Sequence, residues 1–417
     1  MFDLDRWQEI IHTLKSNKLR TFLTAFGVFW GIFMLTVMLG AGTGLQNGIY
    51  RNMGDFSTNS AFMWTQKTSE PYRGFDAGRR WNFKNGDTKA ILDNVPGIEL
   101  LAPRVQGWGG SGATNAVYKD NTGSFSIYGD VPAWNLIDPL TITDGRFINQ
   151  MDLNRRRKIA VIGQRVKEVL FDKGEDPLNK HIQINGVYFT VVGVFKSKKT
   201  GGQADNENQN VHIPFTTIQQ IYNYGDIVGW YALTSHKSTS VSEVTKEVIA
   251  LIKRRHDIAP HDDQAIGHFN VEEEFNKMNN LFIGINGLIW IVGIGTLLAG
   301  VIGVSNIMLV VVRERTKEIG IRRAIGAKPI KITSQIVMES LVLTALSGWL
   351  GLVFGVGLIE LINTAMGGGG DFFYNPTVDF NIAVTALTIL VLSGTFAGMI
   401  PARRALKIRP IEALRTE

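Results

Sequence analysis

The sequence predicts a membrane protein with four transmembrane α-helices and a large α+β extracytoplasmic domain between the first and second spans. Three observations carry this. Apolar residues gather in four runs, each long enough to cross a hydrocarbon core of ~30 Å, which takes roughly 20 apolar residues. Lys and Arg are absent from the runs and crowded into three of the segments beside them. About 235 residues of mixed strand and helix pattern separate the first run from the second.

The first span is assigned to 21–45, TFLTAFGVFWGIFMLTVMLGAGTGL. Its length and its Gly-rich end, with no A-x-A-like site, argue against a cleaved signal peptide. The second is assigned to 281–312, the third to 332–362 and the fourth to 380–401. Orientation follows from the positive-inside bias. Residues 1–20 hold Arg6, Lys15, Lys18 and Arg20, segment 313–331 holds seven basic and two acidic residues, and the tail 402–417 holds Arg403, Arg404, Lys407, Arg409 and Arg415. The loop 363–379 holds no basic residue, so it belongs outside and both termini belong in the cytoplasm. The three basic segments carry a surplus of +9 in a chain of net charge +6, which leaves −3 for the rest. The basic balance is thus a matter of topology and calls for no nucleic-acid partner. With no cysteine, the chain says nothing about redox compartment.

Segment 46–280 is expected outside, with strand candidates at Ile98–Val105, Gly123–Gly129, Lys158–Gly163, His181–Phe195 and Gly229–Ser235. Asn185–Gly186 reads as a hairpin turn. Helix candidates are Asp87–Val95, Gln164–Phe171, the stretch after Pro214 and Ser240–His256. The polar stretch Gly201–Asn210 reads as a flexible loop tip, and residues 67–84 as irregular but docked by Trp81 and Phe83. His256, His261 and His268, with Asp257, Asp262 and Asp263 between them, match no metal-ligand spacing and read as a solvated loop. Arg155–Lys158 reads as a solvated lead-in to a strand, and Gly367–Gly370 as a flexible run.

No G-x-x-x-x-G-K-[ST] phosphate loop, H-E-x-x-H or G-x-S-x-G occurs, so neither an ATP site nor a catalytic or metal site is expected in these residues. The chemistry lies instead in VVRERTKEIGIRRAIGAKP, Val311–Pro329, a cationic segment pinned between two spans. It reads as a short helix broken near Gly326 and Pro329, with Ile319, Ile321 and Ile325 as an apolar side and Lys317, Arg322 and Arg323 as a charged one. Such a helix can lie on the membrane. Glu339, inside the third span, is a functional candidate because acidic residues there are costly, although it can also reach water or a nearby Arg. Gly284, Gly287, Gly293, Gly300 and Gly303 make the second span a candidate for close packing at the centre of a dimer.

EIGIRRAIGAKP, preceded by NIMLVVVRERTK and followed by IVMESL, resembles the signature of MacB/FtsX-type ABC transporter permeases. The tail PARRALKIRPIEALRTE, the opening WQEIIHTLKSNKLRTFLTAFGVFWGI, and VPGIELLAPRV, KIAVIGQRVKEVLF and DPLNKHIQINGVYFTVVGVF resemble the family in the same order, over nearly the whole chain. The resemblance implies that 1–20 is a cytoplasmic amphipathic helix and that 313–331 is a coupling segment docking on an ATPase. Contact is then expected from Arg313, Arg315, Glu318, Ile319, Gly320, Arg322, Ala324 and Gly326, with Gly320, Ala324, Gly326 and Ala327 permitting close approach.

The resemblance further implies an inner-membrane permease subunit that binds no cofactor, with ATP and Mg on a separate ATPase. Fusion of an ATPase ahead of the first span is not expected. The partners implied are that ATPase, a second permease chain, identical or paralogous, and, at the outer side, a periplasmic adaptor with an outer-membrane duct. Motion of the coupling segments would reach the outer domain by mechanotransmission and drive efflux or export. A lipoprotein-releasing permease and an FtsX-like regulator of cell-wall hydrolases are the alternatives. Substrate stays open among macrolides, peptides, lipids and lipoproteins.

Overall fold

The computed structural model describes residues 18–52, 58–107, 114–199, 201–366, 373–378 and 380–406. Most of 1–20, most of the tail 402–417 and the Gly367–Gly370 run lie outside the described residues. The chain divides into a membrane unit, Met1–Ile49 with Asn280–Glu417, and an inter-span unit, Tyr50–Asn279.

The first helix, α1 (Lys18–Asn52), runs past the end of the first apolar stretch and into the inter-span unit. There β1 (Ser60–Thr65), β2 (Phe83–Lys84), α2 (Asn85–Asn94) and β3 (Ile98–Gln106) begin the fold. Next come β4 (Thr114–Tyr118), β5 (Asn121–Asp130), a single turn α3 (Trp134–Ile137), β6 (Thr141–Gly145), α4 (Gln150–Asn154), β7 (Ile159–Gly163) and α5 (Gln164–Leu170). The hairpin β8 (His181–Ile184) and β9 (Val187–Lys196) follows, then α6 (Gly201–Glu207), β10 (Asn210–Pro214), α7 (Phe215–Ile221), β11 (Ile227–Val228), β12 (Trp230–Ser235), α8 (Val241–Arg255) and β13 (Ile266–Asn270). Positive φ at both Asn185 and Gly186 gives the primed turn that matches strand twist. Residues 201–207 form a helix, where the polar composition had predicted a loop tip. Its Glu207 accepts from Lys199 (Nζ–Oε1 2.6 Å) and from the Ser197 hydroxyl, so these polar residues are tied into the fold.

Two substructures are joined where β3 pairs with β5. In one, β4, β5, β10, β7, β9 and β8 close into a ring, because β10 pairs with β5 in parallel (Asn210↔Ser126 to Pro214↔Asp130) as well as with β7. Closure leaves the ring no exposed strand edge. In the other, β3, β12, β1 and β13 lie in that order, with α2 and α8 on one face, the split β-α-β arrangement. Val241, Val244, Val248 and Ile252 recur at helical spacing and bury one stripe of α8 against this sheet.

The two substructures meet around a buried ionic cluster. Arg104 of β3, Asp130 of β5 and His212 of β10 are all buried. Arg104 Nε lies 2.7 Å from Asp130 Oδ1, an ion pair too bent to be a directed hydrogen bond. His212 Nδ1 lies 2.5 Å from Asp130 Oδ2. The guanidinium sits between the rings of Tyr128 and Trp134, 4.0 and 3.8 Å from their centroids.

The His/Asp segment after α8 is built differently from the solvated loop expected. Asp262 is buried and accepts from Ser69 N (2.7 Å), Ser69 Oγ (2.7 Å), Glu70 N (3.3 Å) and Ala265 N (3.1 Å), which docks the irregular stretch near residue 68. His256 Nε2 and Arg255 Nε reach Asp87 at 2.6 and 2.7 Å. Spacing along the chain hid both, since the partners lie about 170–190 residues away. Arg155 is solvated, whereas Arg157 lies 3.5 Å from buried Asp152.

These carboxylates set an acid limit. Burial alone would raise Asp87, but hydrogen bonds from His256, Arg255 and the Lys84 backbone hold it below its ordinary 3.8. Asp152, through Arg146 and the Asn149 backbone, and Asp262, through Ser69, are lowered against burial in the same way. A carboxyl depressed by folding stabilises the native state above the unfolded-chain pKa, and that stability is lost as pH falls through the native value. The unfolding midpoint of the inter-span unit is therefore expected to hold from neutrality down to about pH 5 and to drop steeply below about pH 4. A thermal melt series from pH 7 to 3 with a constant midpoint would contradict this.

In the membrane unit, α9 (Val271–Glu314), α10 (Thr316–Ala324), α11 (Pro329–Ala365) and α12 (Phe380–Ala405) join α1. Helices α1, α9, α11 and α12 are long and apolar enough to cross a membrane. Helix α9 starts ten residues before the predicted span, where Glu272, Glu273 and Glu274 favour its positive N-terminal end. Small residues set the spacing between helices. A Cβ at Gly300 would lie 3.2 Å from the Gly27 backbone, and one at Gly351 only 2.6 Å from the Phe29 carbonyl oxygen. Gly293 likewise faces Leu35 of α1. Gly293 and Gly300 are thus used within the chain, while Gly284, Gly287 and Gly303 face open space.

Candidate functional site: the segment between the second and third spans

Helix α9 ends at Glu314, and Arg315 (φ −96°, ψ 12°) turns the chain into the nine-residue α10. The Thr316 hydroxyl donates to the Arg313 carbonyl at 2.7 Å, which occupies an acceptor that the break would otherwise leave open. At the other end Gly326 adopts φ 97°, where a side chain would be strained. Ala327 N reaches the Arg322 carbonyl (3.0 Å) and Gly326 N the Arg323 carbonyl (3.1 Å), the paired bonds of a Schellman stop. Pro329 then opens α11 at its first turn, where a missing N–H costs nothing.

One face of α10 is fastened to the bundle. Ile319 and Gly320 are buried among Val312, Ile332 and Ile336. Arg322 Nη1 donates to Gln335 Oε1 of α11 at 3.1 Å and Nη2 to Glu318 Oε1 at 2.9 Å. Arg323 Nη1 donates to the Leu406 carbonyl beyond α12 at 2.9 Å. Arg315 Nη1 lies 3.4 Å from Glu339 Oε1, and Glu339 is only 4% exposed. A cavity of about 30 Å³ opens between these groups, lined by Arg315, Glu318, Arg322, Gln335 and Glu339.

The other face is open. Ile325 is 83% exposed and Ile321 40%, flanked by exposed Lys317, Glu318, Ala324, Gly326 and Lys328. The expected apolar side of Ile319, Ile321 and Ile325 is therefore corrected. Positions 319 and 321 lie about 200° apart on a helix, so Ile319 packs inward while Ile321 and Ile325 point out. Of the eight expected contact residues, Arg313, Glu318, Ala324 and Gly326 are exposed, and Arg315 and Arg322 are partly exposed and bonded inward. Ile319 and Gly320 are buried. Gln335 and the tie from Arg323 to Leu406 escaped the sequence reading, because nothing local marks a contact between separate spans.

A family model described as the MacB-like periplasmic core domain matches residues 21–251, and one described as the FtsX-like permease C-terminal region matches 290–410. The chain is 31% identical over 415 residues to the macrolide export ATP-binding/permease protein MacB of Chlorobaculum tepidum, covering 98% of this chain and 61% of that one. To MacB of Bdellovibrio bacteriovorus it is 29% identical over 408 residues, 97% of this chain and 60% of that one. To the uncharacterized ABC transporter permease YknZ of Bacillus subtilis it is 27% identical over 417 residues, 99% of each. The chain thus spans about 60% of the length of the MacB proteins it matches. With one family model over more than half its length and a second over the segment between the spans, this four-helix membrane protein belongs to the MacB/FtsX-type family of ABC transporter permeases.

Proposed function

We propose that this chain is the membrane subunit of an exporter, in which α10 receives motion from a separate ATPase and the spanning helices pass it to the inter-span domain. The observation that carries the reading is the two-sided character of α10. Its inner face is held by Ile319, the Arg322–Gln335 bond and the Arg323–Leu406 bond, so a push on it moves the ends of α9, α11 and α12 together. Its outer face offers Ile321 and Ile325 amid charge, the mix of an apolar anchor with a polar rim that marks protein contacts.

In this reading both termini and α10 lie in the cytoplasm and the inter-span domain lies outside the inner membrane. ATP and Mg are bound by the partner ATPase. A second permease chain, identical or paralogous, completes the membrane part, and a periplasmic adaptor with an outer-membrane duct is the expected outer partner. The relatives named for macrolide export support export as the direction of work. The match over 99% of both chains to YknZ, a protein named as a permease, supports an ATPase on a separate chain.

The test is a detergent pull-down from native membranes with three baits: native sequence, Ile325→Glu, and the Glu318→Arg, Arg322→Glu swap. The swap keeps an i,i+4 ion pair but also removes the Arg322–Gln335 bond, so Ile325→Glu, on the open face, is the variant that reads the outer face alone. An ATP-binding subunit is expected with the native bait and ten-fold or more depleted with both variants. An ATPase recovered equally by all three baits, or by none, would overturn the role given to α10.

A further inference from the structure

The segment that follows β9 carries an ionic cluster in the inter-span unit that the transport reading does not use. Helix α6 buries none of its seven residues. It is well under the roughly 12–15 residues that a helix needs to hold its shape alone in water. Among the described residues its polar ties to the rest of the unit lie at its C-terminal end. There the Asn208 side chain accepts from Ser197 N at 2.8 Å, and Glu207 closes the cluster.

Two carboxylates meet one ammonium. Lys199 Nζ lies 2.6 Å from Glu207 Oε1 and 3.2 Å from Oδ2 of Asp138, the residue that ends α3. The side chains of Lys199, Asp138 and Glu207 are only 15%, 12% and 11% exposed. The Ser197 hydroxyl donates to the second Glu207 oxygen. Among the described residues no other cation lies within ion-pair distance of either carboxylate. Arg104, stacked on Trp134 of the same α3, attracts Asp138 more weakly, and its charge is already matched by Asp130.

With both carboxylates ionised the cluster is one positive charge short, in surroundings that penalise unmatched charge. Burial raises the Asp138 carboxyl above its ordinary 3.8 against the pull of Lys199, and the neighbouring Glu207 raises it further. We propose that the cluster is a proton-sensitive latch, in which a proton on Asp138 lets Lys199 and Glu207 hold α6 to the end of α3 and its loss releases α6 into solvent.

The direction follows from linkage. A carboxyl that binds its proton more tightly when docked favours docking at low pH, and that advantage is lost as pH rises through the docked-state value. Since α6 has no buried stripe to keep it in place, the charge state of this cluster decides whether it stays.

The test uses the full chain in lipid nanodiscs, with hydrogen exchange of the 201–207 amides followed by mass spectrometry and corrected for intrinsic rate. From pH 8 down to about pH 4.5 their protection is expected to rise about ten-fold for each unit by which docking lifts the Asp138 carboxyl. Asp138→Asn carries no charge at any pH and should keep these amides protected throughout. Cooperative unfolding of that variant shows that its fold is intact. An ordinary salt bridge predicts the reverse, with protection at pH 8 lost in Asp138→Asn, and that result overturns the proposal. Constant protection in the native chain overturns it too, as does native-like pH dependence in Asp138→Asn. None of these outcomes depends on α10 or on an ATPase.

Discussion

Asp130→Ala is expected to cost the inter-span unit about 3–5 kcal/mol, because it leaves the Arg104 guanidinium buried with no counter-charge. His212 loses its carboxylate in the same step. For a unit of this size, such a loss lowers the unfolding midpoint by on the order of 10 °C. Trp134 and Trp230 lie against Arg104, so tryptophan fluorescence during urea unfolding reads the site directly. The paired change Arg104→Met, Asp130→Leu removes both charges at once and should recover much of the loss, since a buried ion pair is often no better than apolar packing of similar volume. A loss below about 1 kcal/mol for Asp130→Ala would show that the cluster is solvated and would remove it as the bolt between the two substructures.

Gly351→Leu is expected to separate α1 from α11. The added Cβ alone would stand 2.6 Å from the Phe29 carbonyl oxygen and 3.1 Å from Phe33 N, and these are backbone atoms that cannot swing aside. Overpacking commonly costs about 1–3 kcal/mol, and more where the backbone must move. Recovery of monodisperse protein on size exclusion in detergent should fall about ten-fold. Gly357→Leu, on the same helix with open space around it, is the control and should behave as the native chain. Both changes remove a helical glycine, so the difference between them isolates packing. Equal recovery would mean that α1 and α11 do not pack as closely as these distances state.

Much of the architecture was legible because its signals are local. Four uninterrupted apolar runs mark α1, α9, α11 and α12 through length alone. The Asn185–Gly186 turn and the β-branched strands around it mark β8 and β9, and the Gly326 and Pro329 punctuation marks the end of α10 and the start of α11. What was hidden is non-local. The parallel β5–β10 ladder joins residues some 84 positions apart, and neither strand differs in pattern from an antiparallel one. Arg104, Asp130 and His212 each look like an ordinary strand residue until three strands bring them together. At α10 the error was one of phase. Three isoleucines at 319, 321 and 325 read as one side, but a helix places the first opposite the second.

The placement of β1 between β12 and β13 also governs when the inter-span unit can form. Its two neighbours come about 170 and about 200 residues later in the chain. At a synthesis rate of roughly 5–20 residues per second, β1 waits on the order of 10–40 s with both edges unsatisfied. The ring of β4, β5 and β7–β10 can assemble during that interval from residues 114–214 alone. The sheet cannot, and its last strand ends one residue before α9 begins. Completion of the sheet and delivery of the second span to the membrane therefore fall at the same moment of biosynthesis. A ribosome that stalls before residue 266 leaves Phe62 and Trp64 on an unfinished edge, a substrate for chaperones and proteases.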